Sequence, residues 1–105
     1  MTSQERIEQI KSLVCERFEI NEQILQYKTR FSNTVIPRQI AMCLMRENIK
    51  IAGVKMGFKR IGSCFGLNHA TALHACKLFN NLPDKDKYKK ILTQLQEQLN
   101  TIITQ

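Results

Sequence analysis

A chain of 105 residues, 43% of them hydrophobic, has the material for one small domain with one modest core. Its 16 Lys and Arg against nine Asp and Glu give a formal net charge of +7, which favours a polyanionic partner or surface. The start of the sequence, MTSQE, contains no apolar run, and no later stretch approaches transmembrane length, so we expect neither a signal peptide nor a membrane span.

The basic residues are concentrated in the middle of the chain. Between Gln23 and Pro83 there are nine basic residues and one acidic residue, Glu47. The first 22 residues hold five acids and three bases, and the last 22 hold three acids and four bases. A surface that serves solubility alone mixes the two signs, so this distribution indicates a nucleic-acid-binding face.

The four cysteines, at positions 15, 43, 64 and 76, form no C-x-x-C pair. Their apolar or small neighbours are typical of buried free thiols, and we expect a cytoplasmic protein with reduced cysteines. A zinc site built from Cys64, His69, His74 and Cys76 is disfavoured. Structural zinc sites use ligand pairs two to four residues apart and backed by a loop, whereas two of these candidates fall within one helix on different faces. We expect no metal.

The N-terminal half predicts three helices. Thr2-Ser3-Gln4-Glu5 has the spacing of a capping box, and the helix it opens has one apolar face, formed by Ile7, Ile10, Val14 and Phe18. Asn21 is a suitable N-cap for a short helix or turn within residues 19–25. Residues 27–36 show no sustained alternation and are predicted to be a loop. Pro37 then suits the first position of a long helix, which turns Ile40, Ala41, Leu44 and Met45 inward and Arg38 and Arg46 outward.

The C-terminal half predicts three more segments and no convincing strand. Residues 48–57 form a connection with a short extra turn, and a brief helix over 58–65 ends with Gly66 as its C-cap. Asn68 caps a second helix that runs to about Leu82. After Pro83 a last helix, at about 84–104, carries an apolar stripe. The prediction is an all-α fold of about five to six helices in a single domain spanning 1–105.

The pair of helices at about 57–82 has the pattern of a helix-turn-helix. In that motif the second helix enters the major groove end-on, so only the residues at its N-terminus contact base edges, and its N–H groups favour nearby phosphates. Those positions hold Asn68, His69, Ala70 and Thr71, with no acid that would repel DNA. Ordinary helical hairpins also contain glycine turns, so the pattern alone does not decide.

Three stretches make the pattern specific: IPRQIAMCL at 36–44, IGSCFG at 61–66 and NHATALHACK at 68–77. They resemble, in the same order, an Arg-Pro-Arg-Gln-x-Ala-Met helix, an Ile-Gly-x-x-Phe-Gly turn and an Asp-His-Thr-Thr-Val-Leu-His-Ala-Cys-Arg helix. These belong to the C-terminal DNA-binding domain of the bacterial replication initiator DnaA family. The resemblance covers roughly residues 11–100.

The resemblance implies a set of DNA contacts. Base edges in the major groove would be contacted by Asn68, His69 and Ala70. The remaining contacts, to the backbone or the minor groove, would come from Lys28, Arg30, Arg38, Gln39, Arg46, Lys59, Arg60 and Thr71. Of these, Lys28 and Arg30 lie in the basic loop and would approach the minor groove, and Thr71 would hold a phosphate.

The chain also departs from the family pattern. The family's Arg-Asp pair is Leu67-Asn68 here, its first Thr is Ala70, and one glycine of the turn is missing. The usual minor-groove arginine aligns with Ser32, and about five residues are added around 50–56. An aspartate accepts from cytosine N4, whereas asparagine suits the edge of adenine. We therefore expect binding to duplex DNA at a site other than the family's usual one.

Plainer interpretations exist for the same residues. Asn68 can serve only as a cap, and His69 can be an exposed residue of the first turn. His74, five residues further on, is expected to be packed or bonded to the backbone. The stripe of the last helix is expected to be core, although its far end could serve a dimer.

No catalytic arrangement is found. Glu47 has no acidic partner in the middle of the chain, and the phosphate-binding pattern G-x-x-x-x-G-K-[ST] is absent, so we expect neither an enzyme nor a cofactor. The leading hypothesis is a sequence-specific module for double-stranded DNA, monomeric, with replication proteins as further candidate partners and no membrane. A protein-interaction module that kept the fold but lost DNA recognition is the alternative. RNA binding is weakened because Tyr27 and Phe31 are the only candidate aromatics for base stacking.

Overall fold

The computed structural model describes residues 2–26 and 32–104. Within them lie six α-helices and one two-stranded hairpin: α1 Ser3–Phe18, α2 Glu22–Gln26, α3 Ser32–Asn48, β1 Lys50–Ile51, β2 Val54–Lys55, α4 Phe58–Ser63, α5 His69–Asn81 and α6 Lys87–Thr104. The prediction of an all-α fold with five to six helices is confirmed, with the hairpin as an addition. None of the helices in the described part of the chain is long and apolar enough to cross a membrane.

Polar caps start the helices where the sequence predicted them. The Thr2 hydroxyl accepts a hydrogen bond from the Glu5 N–H at 3.1 Å, and Asn21 Oδ1 accepts one from the Ile24 N–H at 2.8 Å. Each bond satisfies a main-chain donor that has no partner inside its helix, which is why these residue types favour helix starts. The predicted boundaries of α1 and α2 are therefore confirmed at their N-terminal ends.

The start of α3 differs from the prediction. The helix begins at Ser32, so the expected loop is wrong over residues 32–36, and Pro37 is the sixth residue of the helix rather than its first. Pro37 has no N–H to donate to the Asn33 carbonyl, a loss that usually disfavours proline inside a helix. Here the ring is buried, and Thr34 and Ile40 are buried one turn to either side. Packing of this face against the core outweighs the missing bond.

The hairpin replaces the predicted connection at residues 48–57. Its antiparallel strands pair Lys50 with Lys55 and Ile51 with Val54. The two-residue turn between them has positive φ at both positions, 53° at Ala52 and 82° at Gly53, as a type I′ turn requires. Strands of two residues are too short to show an alternating pattern, and only Gly53 signalled the turn.

Helix α3 is the centre of the core. Six consecutive residues, Ile40 to Met45, are all buried, so this part of the helix is covered on every side rather than along one stripe. Helices α1, α4, α5 and α6 all contact it. Their main contributions to the core are Ile7, Ile10, Val14, Ile61, Phe79, Leu95 and Leu99.

The turn of the hairpin contains a strained residue whose replacement should stabilise the protein. Ala52 has the left-handed conformation, which costs a residue with a Cβ about 1 kcal/mol and which asparagine tolerates best. We expect Ala52→Asn to raise the free energy of unfolding by up to about 1 kcal/mol, and so the melting temperature by roughly 4–8 °C. Thermal unfolding followed by circular dichroism measures this.

The opposite change provides the control. Gly53→Ala places a Cβ at a φ of 82° with nothing within 4 Å to clash, so it should destabilise through the backbone alone. An unchanged or lowered melting temperature for Ala52→Asn would show that the turn is not of this type in solution.

Candidate nucleic-acid interface

The turn between α4 and α5 is closed by main-chain hydrogen bonds. The Leu67 N–H donates to the Gly62 carbonyl at 2.9 Å and the Gly66 N–H donates to the Ser63 carbonyl at 3.2 Å. Gly66 has a φ of 68°. This pair of bonds with a left-handed glycine is the Schellman ending of a helix, so the predicted C-cap role of Gly66 is confirmed.

Gly62 allows α4 and the start of α5 to touch. A Cβ built on Gly62 would lie 2.5 Å from the Asn68 carbonyl oxygen and 2.7 Å from that of Leu67. Both neighbours are main chain and cannot give way as a flexible side chain can. Gly62 belongs to the IGSCFG stretch, but its role could not be predicted from the sequence, because its partner is known only once the helices are placed.

Lys11, a residue of α1, contacts the turn between α4 and α5. Its ammonium group donates to the Cys64 carbonyl at 3.3 Å and lies 5.3 Å from the centroid of the Phe65 ring, and the residue is 7% exposed. A cation at the C-terminal end of α4 is favoured by the partial negative charge of the helix carbonyls. Lys11 was not predicted to have a role either, although its position four residues after Ile7 and three before Val14, on the apolar face of α1, is a signal of its burial.

The predicted base-contacting residues come together at the exposed start of α5. Asn68, His69 and Thr71 are exposed and Ala70 is half-buried. The opposite face of the helix is buried through Ala72, Ala75, Cys76 and Phe79. The polar end of α5 therefore faces outward while its other face is held by the core.

Asn68 caps α5 with a single atom. Its Oδ1 accepts hydrogen bonds from the Thr71 N–H at 2.9 Å and from the Thr71 hydroxyl at 3.0 Å. A carbonyl oxygen has two lone pairs, so this atom is fully used. The Asn68 amide nitrogen makes no hydrogen bond to the described part of the chain, and its two hydrogens remain for a partner.

His74 is exposed, so the expectation that it is packed is wrong. It lies three residues after Thr71, on the outer face of α5, because the inner face is taken by Ala75 and Cys76 one and two residues further on. Within residues 2–26 and 32–104, no three His, Cys, Asp or Glu side chains are grouped as a metal site would require.

Arg38 points inward, which corrects the prediction that it faces outward. It is 6% exposed, and its Nε donates to the Leu25 carbonyl at 3.1 Å, near the end of α2. Burial lowers the pKa of its guanidinium. The prediction failed because α2 packs on this part of α3, and the sequence carries no local sign of that packing.

Arg46 is half-buried and joins the hairpin to α4. Its Nη1 donates to the Met56 carbonyl at 2.9 Å, and its guanidinium carbon lies 4.4 Å from the centroid of the Phe58 ring. Cation–π stacking and the hydrogen bond fix the junction from both sides.

The remaining predicted backbone contacts divide by exposure. Lys59 and Arg60 are exposed on α4, and Gln39 is half-buried on α3. Lys28 and Arg30 lie outside the described residues, as do Tyr27 and Phe31.

Two thiols lie where α3 meets α5. Cys43 Sγ donates to the Ala75 carbonyl at 3.4 Å, and Cys76 Sγ donates to the Met42 carbonyl at 3.9 Å. The neighbouring Cys76 thiol, and then burial, raise the pKa of the Cys43 thiol. The prediction of buried free thiols is confirmed for these two residues and for Cys15, whereas Cys64 is half-buried.

Comparison with known families agrees with this geometry. The family model described as the bacterial dnaA protein helix-turn-helix matches residues 7–78, which include most of α1, the whole of α2, α3 and α4, and most of α5. The chain belongs to this family. It is a DNA-binding domain of the helix-turn-helix type, and the resemblance noted in its sequence is confirmed.

Two relatives show how much of a longer protein this family domain represents. The chain is 35% identical over 95 residues to the chromosomal replication initiator protein DnaA of Flavobacterium psychrophilum, covering 90% of this chain and 19% of that protein. With the DnaA protein of Bacteroides fragilis it shares 35% identity over 81 residues, covering 77% of this chain and 16% of the relative. The chain thus spans less than a fifth of these DnaA proteins.

The close approach at Gly62 predicts a strong effect of a single methyl group in this DnaA-type motif. Gly62→Ala should force α4 and α5 apart and lower the free energy of unfolding by about 1–3 kcal/mol, as overpacking does in cores. Chemical denaturation measures the loss, and DNA binding should fall with it because the start of α5 moves.

Gly57→Ala is the matched control. A Cβ on Gly57 meets nothing within 4 Å and its φ is −70°, so the cost should stay below about 1 kcal/mol, the amount expected for alanine at an N-cap. Equal losses in the two variants would contradict the argument from contact.

Proposed function

We propose that the chain binds double-stranded DNA in a sequence-specific manner, with the N-terminus of α5 in the major groove. The observation that carries this proposal is the group of polar residues from Asn68 to Thr71, exposed at a helix start that Gly62 holds against α4. Nothing in the 105 residues corresponds to a phosphate-binding loop, so the proposed activity is binding without ATP hydrolysis.

The proposed contacts are those predicted from the sequence, with one residue removed. Base edges are contacted by Asn68, His69 and Ala70. Phosphates and the minor groove are contacted by Lys28, Arg30, Gln39, Arg46, Lys59, Arg60 and Thr71. Arg38 is removed from this set, because its hydrogen bond to Leu25 makes it a residue that positions the end of α2, ahead of the segment with Lys28 and Arg30.

The biological role that we propose is to mark, regulate or compete for sites of the kind bound by replication initiators. Its support is that both relatives are chromosomal replication initiator proteins. The free thiols of Cys15, Cys43 and Cys76 suit a reducing compartment such as the cytoplasm. We propose that the chain acts as a monomer and that replication proteins are further partners.

Selection of bound sequences from random duplex DNA tests the proposed function, and the selected site then serves for titrations at several salt concentrations. Neutralisation of about five or six phosphates predicts a slope of log K against log salt of roughly −5. His69→Ala should weaken binding to the selected site by about tenfold or more and leave the salt slope nearly unchanged, because it removes a base contact and not a phosphate contact.

His74→Ala provides a matched control, since His74 is also an exposed histidine of α5 but lies outside the proposed base-contacting set. Its selected sequences should equal those of the parent protein. A salt-independent affinity of the parent, or equal effects of the two histidine variants on sequence preference, would contradict the proposal.

The cap changes which base Asn68 is expected to contact. Asparagine pairs with adenine by accepting from N6 and donating to N7, but Asn68 Oδ1 already accepts two hydrogen bonds from Thr71. Only the donating NH₂ group faces the groove while the cap is intact. Asn68 should therefore prefer a base that presents an acceptor, such as guanine O6 and N7 or thymine O4.

Asn68→Asp tests this assignment. One carboxylate oxygen keeps the cap and the other faces the groove as an acceptor, so the selected base at the contacted position should change to one that presents a donor, cytosine above all. Asn68→Ser is the control, because it retains a capping oxygen and lacks the NH₂ group, and it should lose the preference without a loss of helix stability. Identical selected sequences from the parent and Asn68→Asp would show that residue 68 only caps.

A further inference from the structure

We propose that the β1–β2 hairpin is a second DNA-contacting element, in which Lys50 and Lys55 bind phosphates beside the groove that α5 enters, and Glu47 holds Lys55 in the absence of DNA. This inference rests on the proposed function and adds to it a surface outside the helix-turn-helix.

The pairing of the strands places the two lysines side by side. The Met56 N–H donates to the Ile49 carbonyl at 2.9 Å, so the next pair along the ladder, Lys50 and Lys55, is a pair without mutual hydrogen bonds, in which side chains lie closest. Like charges directly opposite each other disfavour a hairpin. A dianionic or polyanionic partner removes that repulsion.

The hairpin is fixed to the body of the protein at its base. Ile49 and Met56 are each 1% exposed. The Met56 carbonyl accepts a hydrogen bond from Arg46, whose guanidinium group also stacks on the Phe58 ring. Alternation along the strands puts these buried residues on one face and the exposed Lys50 and Lys55 on the other. The lysines are thus presented on a short arm whose position relative to α4 is set by packing.

The arm is at a suitable distance from α5. The six residues of α4 rise by about 9 Å, and Gly62 near its end contacts Asn68, so the base of the hairpin lies on the order of 10 Å from the start of α5. The major groove is about 12 Å wide, so phosphates at its edge fall within that range. The exposed Lys59 and Arg60 of α4 continue the positive charge from the arm toward α5.

Glu47 is the one acid of the basic middle segment, and it is paired with the arm. Lys55 Nζ lies 3.0 Å from Glu47 Oε2, with both side chains about half exposed, at 47% and 48%. An ion pair this exposed contributes little, so a phosphate can displace the carboxylate. Glu47 therefore weakens DNA binding slightly and keeps Lys55 in place when DNA is absent.

The experiment compares Lys50→Ala/Lys55→Ala with the parent on the selected duplex between 50 and 200 mM salt. Loss of two phosphate contacts should make the log–log slope less negative by about 1.8, so the ratio of the two dissociation constants should change by about tenfold across this range. Lys85→Ala/Lys90→Ala removes the same charge from exposed positions at the start of α6 and should leave the slope within about 0.5 of the parent.

Glu47→Gln gives an effect of opposite sign. It should tighten binding by up to about fivefold, the upper range for an exposed ion pair, and this gain should shrink when Lys55→Ala is already present. A gain of equal size in both backgrounds would assign the effect to long-range charge and overturn the role of Glu47 as the partner of Lys55.

The failure of this inference is distinct from the failure of the proposed function. If the parent binds duplex with a steep salt dependence and Lys50→Ala/Lys55→Ala has the same slope, the hairpin does not contact phosphate, and exposed Val54 at its tip is left for a protein partner. If the parent binds no duplex at 50 mM salt, the proposed function fails and the hairpin proposal fails with it.

Discussion

The contact between Gly62 and the main chain of Asn68 is the constraint on which the proposed DNA-binding surface depends. It sets how closely α4 and α5 approach, and so where the start of α5 lies relative to the body. Asn68 also satisfies two main-chain donors at the start of α5. Its carbonyl accepts a hydrogen bond from the Ala72 N–H, and its side chain accepts one from the Thr71 N–H. Any movement of this residue disturbs the crossing of the helices, the first turn of α5 and the groups offered to DNA together.

Capping and the proposed base contact are compatible in Asn68 because they use different atoms. The oxygen serves the helix and the nitrogen remains for a partner, so a cap that is often regarded as purely structural determines the chemical character of the face offered to the groove. The aspartate that the family pattern has at this position can cap in the same way while offering an acceptor. The exchange of one for the other therefore leaves the cap intact, and it changes the outward atom from a donor to an acceptor that carries negative charge.

Features governed by neighbours in sequence could be predicted, and those governed by distant packing could not. The caps at Thr2, Asn21 and Asn68 were predictable because donor and acceptor are three residues apart. The inward turn of Arg38 depends on α2, and the role of Lys11 depends on a carbonyl 53 residues away. The exposed polar start of α5 could be expected from local pattern and resemblance, and its contact with bases stays a prediction. The hairpin could not be predicted, because two-residue strands have no period to detect.

Apart from Arg46, to which both roles are assigned, the basic residues of the described part divide into those that build the fold and those left for a partner, so net charge overstates the charge available to DNA. Four cationic side chains donate to main-chain carbonyls near the C-terminal ends of helices, where carbonyls lack partners inside the helix: Arg6 to Asn48, Lys11 to Cys64, Arg38 to Leu25 and Lys89 to Phe79. Arg46 donates to the Met56 carbonyl just after β2. Exposed charge in the described middle segment is instead concentrated on the hairpin and α4. Because counterion release counts phosphates contacted rather than charges carried, the salt dependence of binding measures this second group. The formal charge of +7 and the expected slope of log K against log salt, near −5, are therefore separate quantities. The slope depends on how many exposed cations face the duplex, and this number connects the fold to its affinity for DNA.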